Sequence, residues 1–165
     1  MIALRIEDIK HFTSKLFVGE TFDEFLMKEV SIVTFNLFTM DGHIRHGYYT
    51  EEELEESKVE EFSTWRMVKP LCFSVIKGKK LPGSFQIVLQ LSPSGVREFL
   101  NSRQIPMNED QITGLYINIR YEEGKLYCVT GTSVSFFTMD KTLDQEWDGS
   151  VKEFLKQSQI EFVEE

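Results

Sequence analysis

The sequence predicts an α+β fold built from two successive strand-helix-strand-strand-strand units and an additional C-terminal helix. First, the phrase NLFTMDGHI, which begins at Asn36, is followed 82 residues later by NIRYEEGKL, which begins at Asn118. Second, alternating and helically spaced apolar residues recur in the same order in both halves of the chain, as expected for a duplicated unit. Third, 165 residues with 41% hydrophobic content and 14 Phe are enough to form the core of one domain, which we expect to span residues 1–165.

The first unit, residues 1–83, is predicted to begin with a strand and a helix. IALRI at 2–6 alternates between more and less apolar residues, which is typical of a short strand. Apolar residues then recur at helical spacing before Gly19, a natural helix stop, so we expect a helix over 7–17. The apolar positions of this helix are Ile9, Phe12 and Leu16.

A long strand and a hairpin are predicted next. EVSIVTFNLFTM at 29–40 carries apolar residues on both faces, which suits a strand that is covered on both sides. Asp41 and Gly42 predict a tight turn, because this pair tolerates positive backbone dihedrals. HIRHGYY at 43–49 is therefore expected to return as the partner strand.

A Glu-rich insertion, residues 50–69, is predicted to separate this hairpin from the last strand of the unit. Thr50 and Glu53 have the spacing of a capping box, so we expect a short solvated helix over 50–58. Because the second half of the chain ends its unit with a further strand, LCFSVIK at 71–77 is predicted to be the fourth strand of the first unit.

The second unit, residues 84–140, is predicted to repeat the same order. Ser92 is a favoured helix cap, and Pro93 is favoured in the first turn of the helix that follows. Glu123 and Gly124 predict a second tight turn. The expected elements are a strand over 84–91, a helix from Pro93 that buries Val96, Phe99 and Leu100, strands over 114–121 and 125–130, and a last strand over 133–139.

Residues 141–165 lie outside the predicted repeat and are expected to supply the additional helix. Cap signals begin at Thr142 and at Ser150, and Trp147 opens an apolar stripe by which a helix can dock. IEFV at 160–163 is predicted to be a final edge strand.

Charge is distributed unevenly along the chain. The net charge is −9, yet residues 62–103 contain a single acid, Glu98, and carry a local charge of +6. Such a segment can bind phosphates or an acidic partner, or its cations can pair with the neighbouring Glu run. The candidate anion- or nucleic-acid-binding residues are Arg66, Lys69, Lys77, Lys79, Lys80, Arg97 and Arg103, together with Lys10 and Lys15 on the first predicted helix.

KGKK at 77–80 is the densest basic cluster and is predicted to lie at a turn. Its lysines can converge there on a phosphate or a carboxylate, although lysines at a turn also serve solubility. The cluster lacks the spacing of a Walker loop. His43 and His46 point to opposite faces of their predicted strand and so do not share one metal ion. We expect no metal and no cofactor.

No catalytic constellation is predicted, so we do not expect an enzyme. Cys72 and Cys128 lie in predicted apolar strands, where burial raises a thiol pKa. No run approaches the roughly 18 apolar residues that a membrane helix needs. The first residues, MIALRIEDIKHF, lack the apolar core of a secretory signal, so we expect a cytoplasmic protein without a membrane partner.

Three phrases carry a family resemblance. They are FDEFLMKEVSIVTFNLFTMDG from Phe22, CFSVIKGKK from Cys72 and CVTGTSVSFFTMDKTLDQEWD from Cys128. They resemble an uncharacterised family of small clostridial proteins known only as a domain of unknown function. This resemblance implies no activity.

The predicted element order over residues 1–140 resembles one domain of the sliding clamps that tether DNA polymerases. The likeness implies a DNA-clamp-like fold, in which domains self-associate into a ring and paired helices face duplex DNA with Lys and Arg. The two predicted helices offer Lys10, Lys15, Arg97 and Arg103 for such a contact.

These observations predict a non-catalytic binding or scaffold module that contacts nucleic acid or an acidic partner through residues 62–103. One alternative is a small-molecule-binding protein or small enzyme with a pocket near the C-terminal helix, around Trp147. Another alternative is a protein-protein adaptor that uses the Glu-rich helix.

Overall fold

The computed structural model describes residues 1–57, 59–78 and 80–165. Seven strands form one antiparallel sheet in the order β3-β2-β4-β5-β6-β1-β7. The strands are β1 (Ala3–Ile6), β2 (Leu26–Val33), β3 (Leu37–Asp41), β4 (Ser84–Gln90), β5 (Ile112–Glu122), β6 (Lys125–Val134) and β7 (Phe162–Glu164). The helices are α1 (Ile9–Phe17), α2 (Glu51–Ser57), α3 (Trp65–Ile76), α4 (Pro93–Ser102) and α5 (Thr142–Gln157). This architecture confirms the predicted α+β class.

One apolar core lies between the sheet and four of the helices. The buried residues of α1, α3, α4 and α5 belong to the same cluster as the inward residues of the strands. In β5, Leu115, Ile117 and Ile119 are buried, whereas Tyr116 and Asn118 between them are only half-buried. This alternation places the helices on one face of the sheet. Among the described residues, no helix combines the length and the apolar character that crossing a membrane requires.

Local signals correctly predicted three helices, two of them from caps and α1 from its apolar spacing. The Ser92 hydroxyl accepts a hydrogen bond from the Gly95 amide at the start of α4 (3.2 Å). In the capping box of α2, the Glu53 amide donates to the Thr50 hydroxyl, and the Thr50 amide donates to the Glu53 carboxylate, both at 3.1 Å. The predicted helix over 7–17 is α1, and Asp8 caps it. These contacts satisfy backbone donors that a helix start otherwise leaves free.

The predicted strand at 71–77 is wrong, because this segment is the second half of α3. Thr64 caps the helix by accepting a hydrogen bond from the Met67 amide. Trp65, Val68 and Cys72 then recur at helical spacing and are buried. The expected repeat of element order suggested a strand, but Leu71 is 57% exposed and faces away from the core. The helical spacing begins at Trp65, upstream of residues 71–77, and accounts for the helical structure of this segment.

The position of the turn in the first predicted hairpin is also wrong. The long strand expected over 29–40 breaks between Val33 and Leu37, so that β2 and β3 are themselves the hairpin. Gly42 does not turn the chain. A Cβ on it would lie 1.7 Å from the Met27 carbonyl oxygen, so glycine is needed here for a close backbone approach. The stretch 43–49, expected as a strand, contains instead an isolated bridge and the 3₁₀ turn His46–Tyr48.

The second predicted hairpin is confirmed. Glu123 and Gly124 have positive φ angles of 52° and 75°, and they join β5 to β6. β6 runs further than expected and ends at Val134. The predicted last strand over 133–139 is therefore wrong, because residues 135–139 leave the sheet and expose Phe137 and Met139.

The structure does not confirm a repeat of clamp-like units. β4 pairs directly with β5, whereas β1 pairs with β6 and β7 and lies far from β2 in the sheet. The fourth strand expected in each unit is absent from 71–77 and from 135–139, both of which the structure describes. The phrase that begins at Asn36 thus covers β3 and the segment after it, whereas the phrase that begins at Asn118 covers the β5–β6 hairpin.

The C-terminal segment forms one continuous helix, α5, followed by an edge strand. Leu143, Trp147, Val151 and Leu155 are buried along one side of α5. The predicted second cap at Ser150 lies within the helix. β7 pairs with β1 at the edge of the sheet, as expected for the final strand.

Candidate functional site

Two of the predicted anion-binding residues are engaged in a buried ion pair. The Lys69 ammonium donates to the Asp23 carboxylate and to the Gly19 carbonyl oxygen, both at 2.6 Å. Arg66 lies 3.5 Å from the same carboxylate and 2.6 Å from Glu24. Asp23 is 3% exposed, so this contact ties α3 to the loop after α1. We assign Lys69 a structural role.

Arg97 of α4 and Arg103, which directly follows α4, also face carboxylates. Arg97 lies 2.9 Å from Glu109. Arg103 reaches two acids of α5, Glu146 at 3.0 Å and Glu153 at 2.7 Å. Four cations of the basic segment therefore pair with acids, as one reading of the sequence expected, but these acids lie outside the Glu run of α2 and the residues next to it.

The remaining predicted cations are lysines. No carboxylate of the described residues lies within ion-pair distance of Lys10, Lys15, Lys77 or Lys80. Lys79 was also predicted and lies outside the described residues. The KGKK cluster connects α3 to β4, so it follows a helix and does not join two strands as predicted.

An apolar pocket of about 480 Å³ lies between α1, the end of α3 and the start of β4. We call it the α1–α3 pocket. Its lining residues are Ile9, Lys10, Thr13, Ser14, Phe17, Val18, Phe73, Ile76, Leu81, Pro82, Phe85 and Tyr121. The volume falls within the range of small-molecule sites, roughly 300–1,000 Å³.

Aromatic rings form the floor of this pocket. The ring centroid of Phe17 lies 6.2 Å from that of Phe73 and 5.9 Å from that of Phe85. The ring of Phe85 in turn lies 5.3 Å from that of Tyr121. Phe17 and Phe85 are buried, which makes this floor continuous with the protein core.

Exposed apolar side chains form the rim. Val18 follows the last residue of α1 and is 66% exposed, and Leu81 follows the KGKK cluster and is 83% exposed. This site was not predicted from the sequence. The available signal was a large apolar residue directly before the helix stop Gly19 and another directly after the basic KGKK cluster, where polar residues are usual.

The charge of its lining distinguishes the α1–α3 pocket. The lining contains one cation, Lys10, and no carboxylate among the described residues. Four other cavities contain acids in their linings: Glu29 and Asp41 in the first, Glu60, Glu61 and Glu109 in the second, Glu7 and Glu161 in the third, and Asp140 and Asp144 in the fourth. In a protein with a net charge of −9, a cationic apolar pocket selects against cations and favours anions.

The predicted pocket around Trp147 is not found at that residue. Trp147 is 3% exposed, and its indole donates to the Tyr116 carbonyl oxygen at 2.9 Å. A cavity of about 420 Å³ lies at the start of α5, but Trp147 does not line it. Trp65 is fully buried in the same way and donates to the Leu16 carbonyl oxygen at 2.7 Å. Both tryptophans are core residues.

The described residues contain no group of three side chains placed to bind a metal ion. The Asp41 carboxylate accepts a hydrogen bond from the His43 amide, which is the main reason that the pKa of Asp41 lies below its usual value. Burial raises the pKa of the Cys72 thiol to about 11 and raises that of Cys128 still further. Such thiols are poor nucleophiles.

Comparison with known proteins identifies a family. The model of a family of unknown function, DUF5721, matches residues 15–163, which include most of the α1–α3 pocket. No curated protein and no solved structure matches the chain. The match covers nearly the whole sequence and confirms the expectation of a domain of unknown function. The chain therefore belongs to the DUF5721 family.

Proposed function

We propose that this protein is a non-catalytic binding module that accepts an apolar ligand group in the α1–α3 pocket. The observation that carries this proposal is the composition of the lining, which joins a floor of core aromatic rings to exposed apolar side chains at the rim. Apolar concave sites with few polar groups are the usual form of small-molecule sites. One alternative from the sequence was a small-molecule pocket near the C-terminal helix. The present proposal retains the small-molecule ligand but assigns it to the pocket between α1 and α3.

The nucleic-acid version has less support. Arg66, Lys69, Arg97 and Arg103 already face carboxylates, and each pair would have to break before a phosphate could take its place. Phosphate contacts need free cations on one surface.

A neutral fluorescent probe, N-phenyl-1-naphthylamine, tests the proposal. We expect its emission to rise and shift to the blue on titration with the protein, because the pocket removes the rings from water. Ser14→Trp places a large ring in the pocket from an exposed helix position and should abolish this signal.

Ser94→Trp is the matched control, since Ser94 is an exposed serine in a different helix and does not line the α1–α3 pocket. This variant should bind the probe like the wild type. Probe binding that Ser14→Trp leaves unchanged would refute the proposed site, and so would the absence of any signal with the wild type.

A further inference from the structure

We infer that the ligand is a straight-chain alkyl carboxylate, with its chain in the α1–α3 pocket and its carboxylate beside Lys10. This inference rests on the proposed function and adds the chemical class of the ligand and its orientation.

Charge complementarity carries the inference. Lys10 is an exposed residue of α1 that lines the pocket, and no carboxylate of the described residues pairs with it. Lys77 directly follows the lining residue Ile76, and Lys80 directly precedes the lining residue Leu81. Lys10 is thus the one cation of the described lining on an otherwise acidic protein, and Lys77 and Lys80 adjoin that lining in sequence.

The acids nearest to Lys10 in sequence form no ion pair with it. Asp8 accepts a hydrogen bond from the His11 amide as the cap of α1. Glu7 lines a different cavity, at the start of β7. Neither residue belongs to the lining of the α1–α3 pocket.

Hydroxyl groups in the lining suit a carboxylate as well. The Thr13 hydroxyl donates to the Lys10 carbonyl oxygen and is therefore engaged. Ser14 and Tyr121 also line the pocket, and each adds a hydroxyl donor. A carboxylate is an acceptor with several lone pairs, so it can use an ammonium and hydroxyl donors together.

The apolar part of the lining sets the nature of the tail. Phe17, Phe73 and Phe85 form a floor without charged groups, and Ile76 extends it along α3. Each buried methylene should tighten binding about fourfold until the pocket is full. A flexible alkyl chain also fits a groove that stays open at Val18 and Leu81.

Calorimetric titration of the wild type with octanoate, decanoate, dodecanoate and 1-decanol tests the inference, with the carboxylates below their critical micelle concentrations and decanol below its solubility limit. We expect the dissociation constant to fall about fourfold per methylene and decanoate to bind about fivefold more tightly than decanol at low salt. This comparison needs no variant.

Lys10→Gln should weaken decanoate binding about fivefold and leave decanol binding unchanged, because only the carboxylate uses the ammonium. Lys156→Gln is the matched control, since Lys156 is an exposed helical lysine that does not line this pocket. It should bind decanoate like the wild type.

The outcomes separate the inference from the proposed function. Suppose that the naphthylamine probe binds and Ser14→Trp blocks it, but decanol and decanoate have equal dissociation constants. The carboxylate inference is then wrong, and the proposed binding function is retained. If Lys156→Gln weakens decanoate as much as Lys10→Gln does, diffuse charge explains the preference and the inference also falls. A dimer that Ser14→Trp dissociates would make a second copy the occupant and overturn it.

Discussion

Replacement of Lys69 by methionine is expected to destabilise the fold strongly. Lys69 makes two hydrogen bonds of 2.6 Å, to Asp23 and to the Gly19 carbonyl oxygen, and its side chain is only 13% exposed. Lys69→Met keeps most of the aliphatic stem but leaves the Asp23 carboxylate buried beside Arg66 at 3.5 Å. Removing one partner of a buried ion pair costs about 3–5 kcal/mol.

Because Arg66 stays near Asp23, we expect a loss near the lower limit, about 3 kcal/mol in the free energy of unfolding. Urea denaturation followed by circular dichroism measures this loss. With an m-value of about 2 kcal/mol/M, the midpoint should fall by about 1.5 M.

Arg66→Met is the matched control. Arg66 also contacts Asp23, but its side chain is 61% exposed, so its loss should cost less than about 1 kcal/mol. The double variant Asp23→Asn with Lys69→Met should cost less than the sum of the single variants, because no buried charge is then left without a partner. If Lys69→Met lowers the free energy of unfolding no more than Arg66→Met does, then Lys69 has no structural role. The prediction that Lys69 binds anions would then stand again.

Three further predictions concern the glycines, a thiol and an exposed ion pair. Gly124→Ala should lower the free energy of unfolding by about 1 kcal/mol, because Gly124 has a positive φ. Gly42→Ala should lower it by about 3 kcal/mol, because the added Cβ would overlap the backbone of Met27. A lower urea midpoint for Gly124→Ala than for Gly42→Ala would contradict this. Cys128, whose thiol pKa is raised by burial, should not react with Ellman's reagent at pH 8 until urea unfolds the protein, and rapid labelling of the native protein would contradict its burial. The hydrogen bond from Arg5 lowers the pKa of Glu165, so its stabilising contribution is present above the ordinary value of 4.5 and is lost as the pH falls through the lower folded value. Wild type and Glu165→Gln should therefore differ in urea midpoint at pH 6, and the difference should shrink as the pH falls from 4.5 through the lower folded pKa; a constant difference would count against the pair.

Elements with local signals were predictable from the sequence. The cap at Ser92 and the turn at Glu123 and Gly124 each depend on residues within four positions of one another, and each lies where predicted. The same kind of signal was misleading at Asp41 and Gly42, where glycine serves a close approach to Met27. A turn and a close approach both require glycine, so the sequence pattern alone does not separate them.

The segment 71–77 shows a second limit of local patterns. It was predicted as a strand from the expected repeat of element order, whereas its buried residue, Cys72, continues the helical spacing of Trp65 and Val68. A short apolar window does not by itself separate a strand from a helix. The outcome depended on which face met the core, and that is a property of the folded chain.

The sequence by itself determined the α+β class, the family, most helix starts and the second hairpin, because these follow from caps, turns and apolar periods within a few residues. The tertiary structure alone decided the sheet order, the pairing of Lys69 with Asp23 and the α1–α3 pocket. Each of these joins residues from distant parts of the chain. Such contacts depend on how the elements pack and on which charges become buried during folding. The pocket is the clearest case, since α1, the end of α3 and Tyr121 of β5 meet only when the sheet has formed.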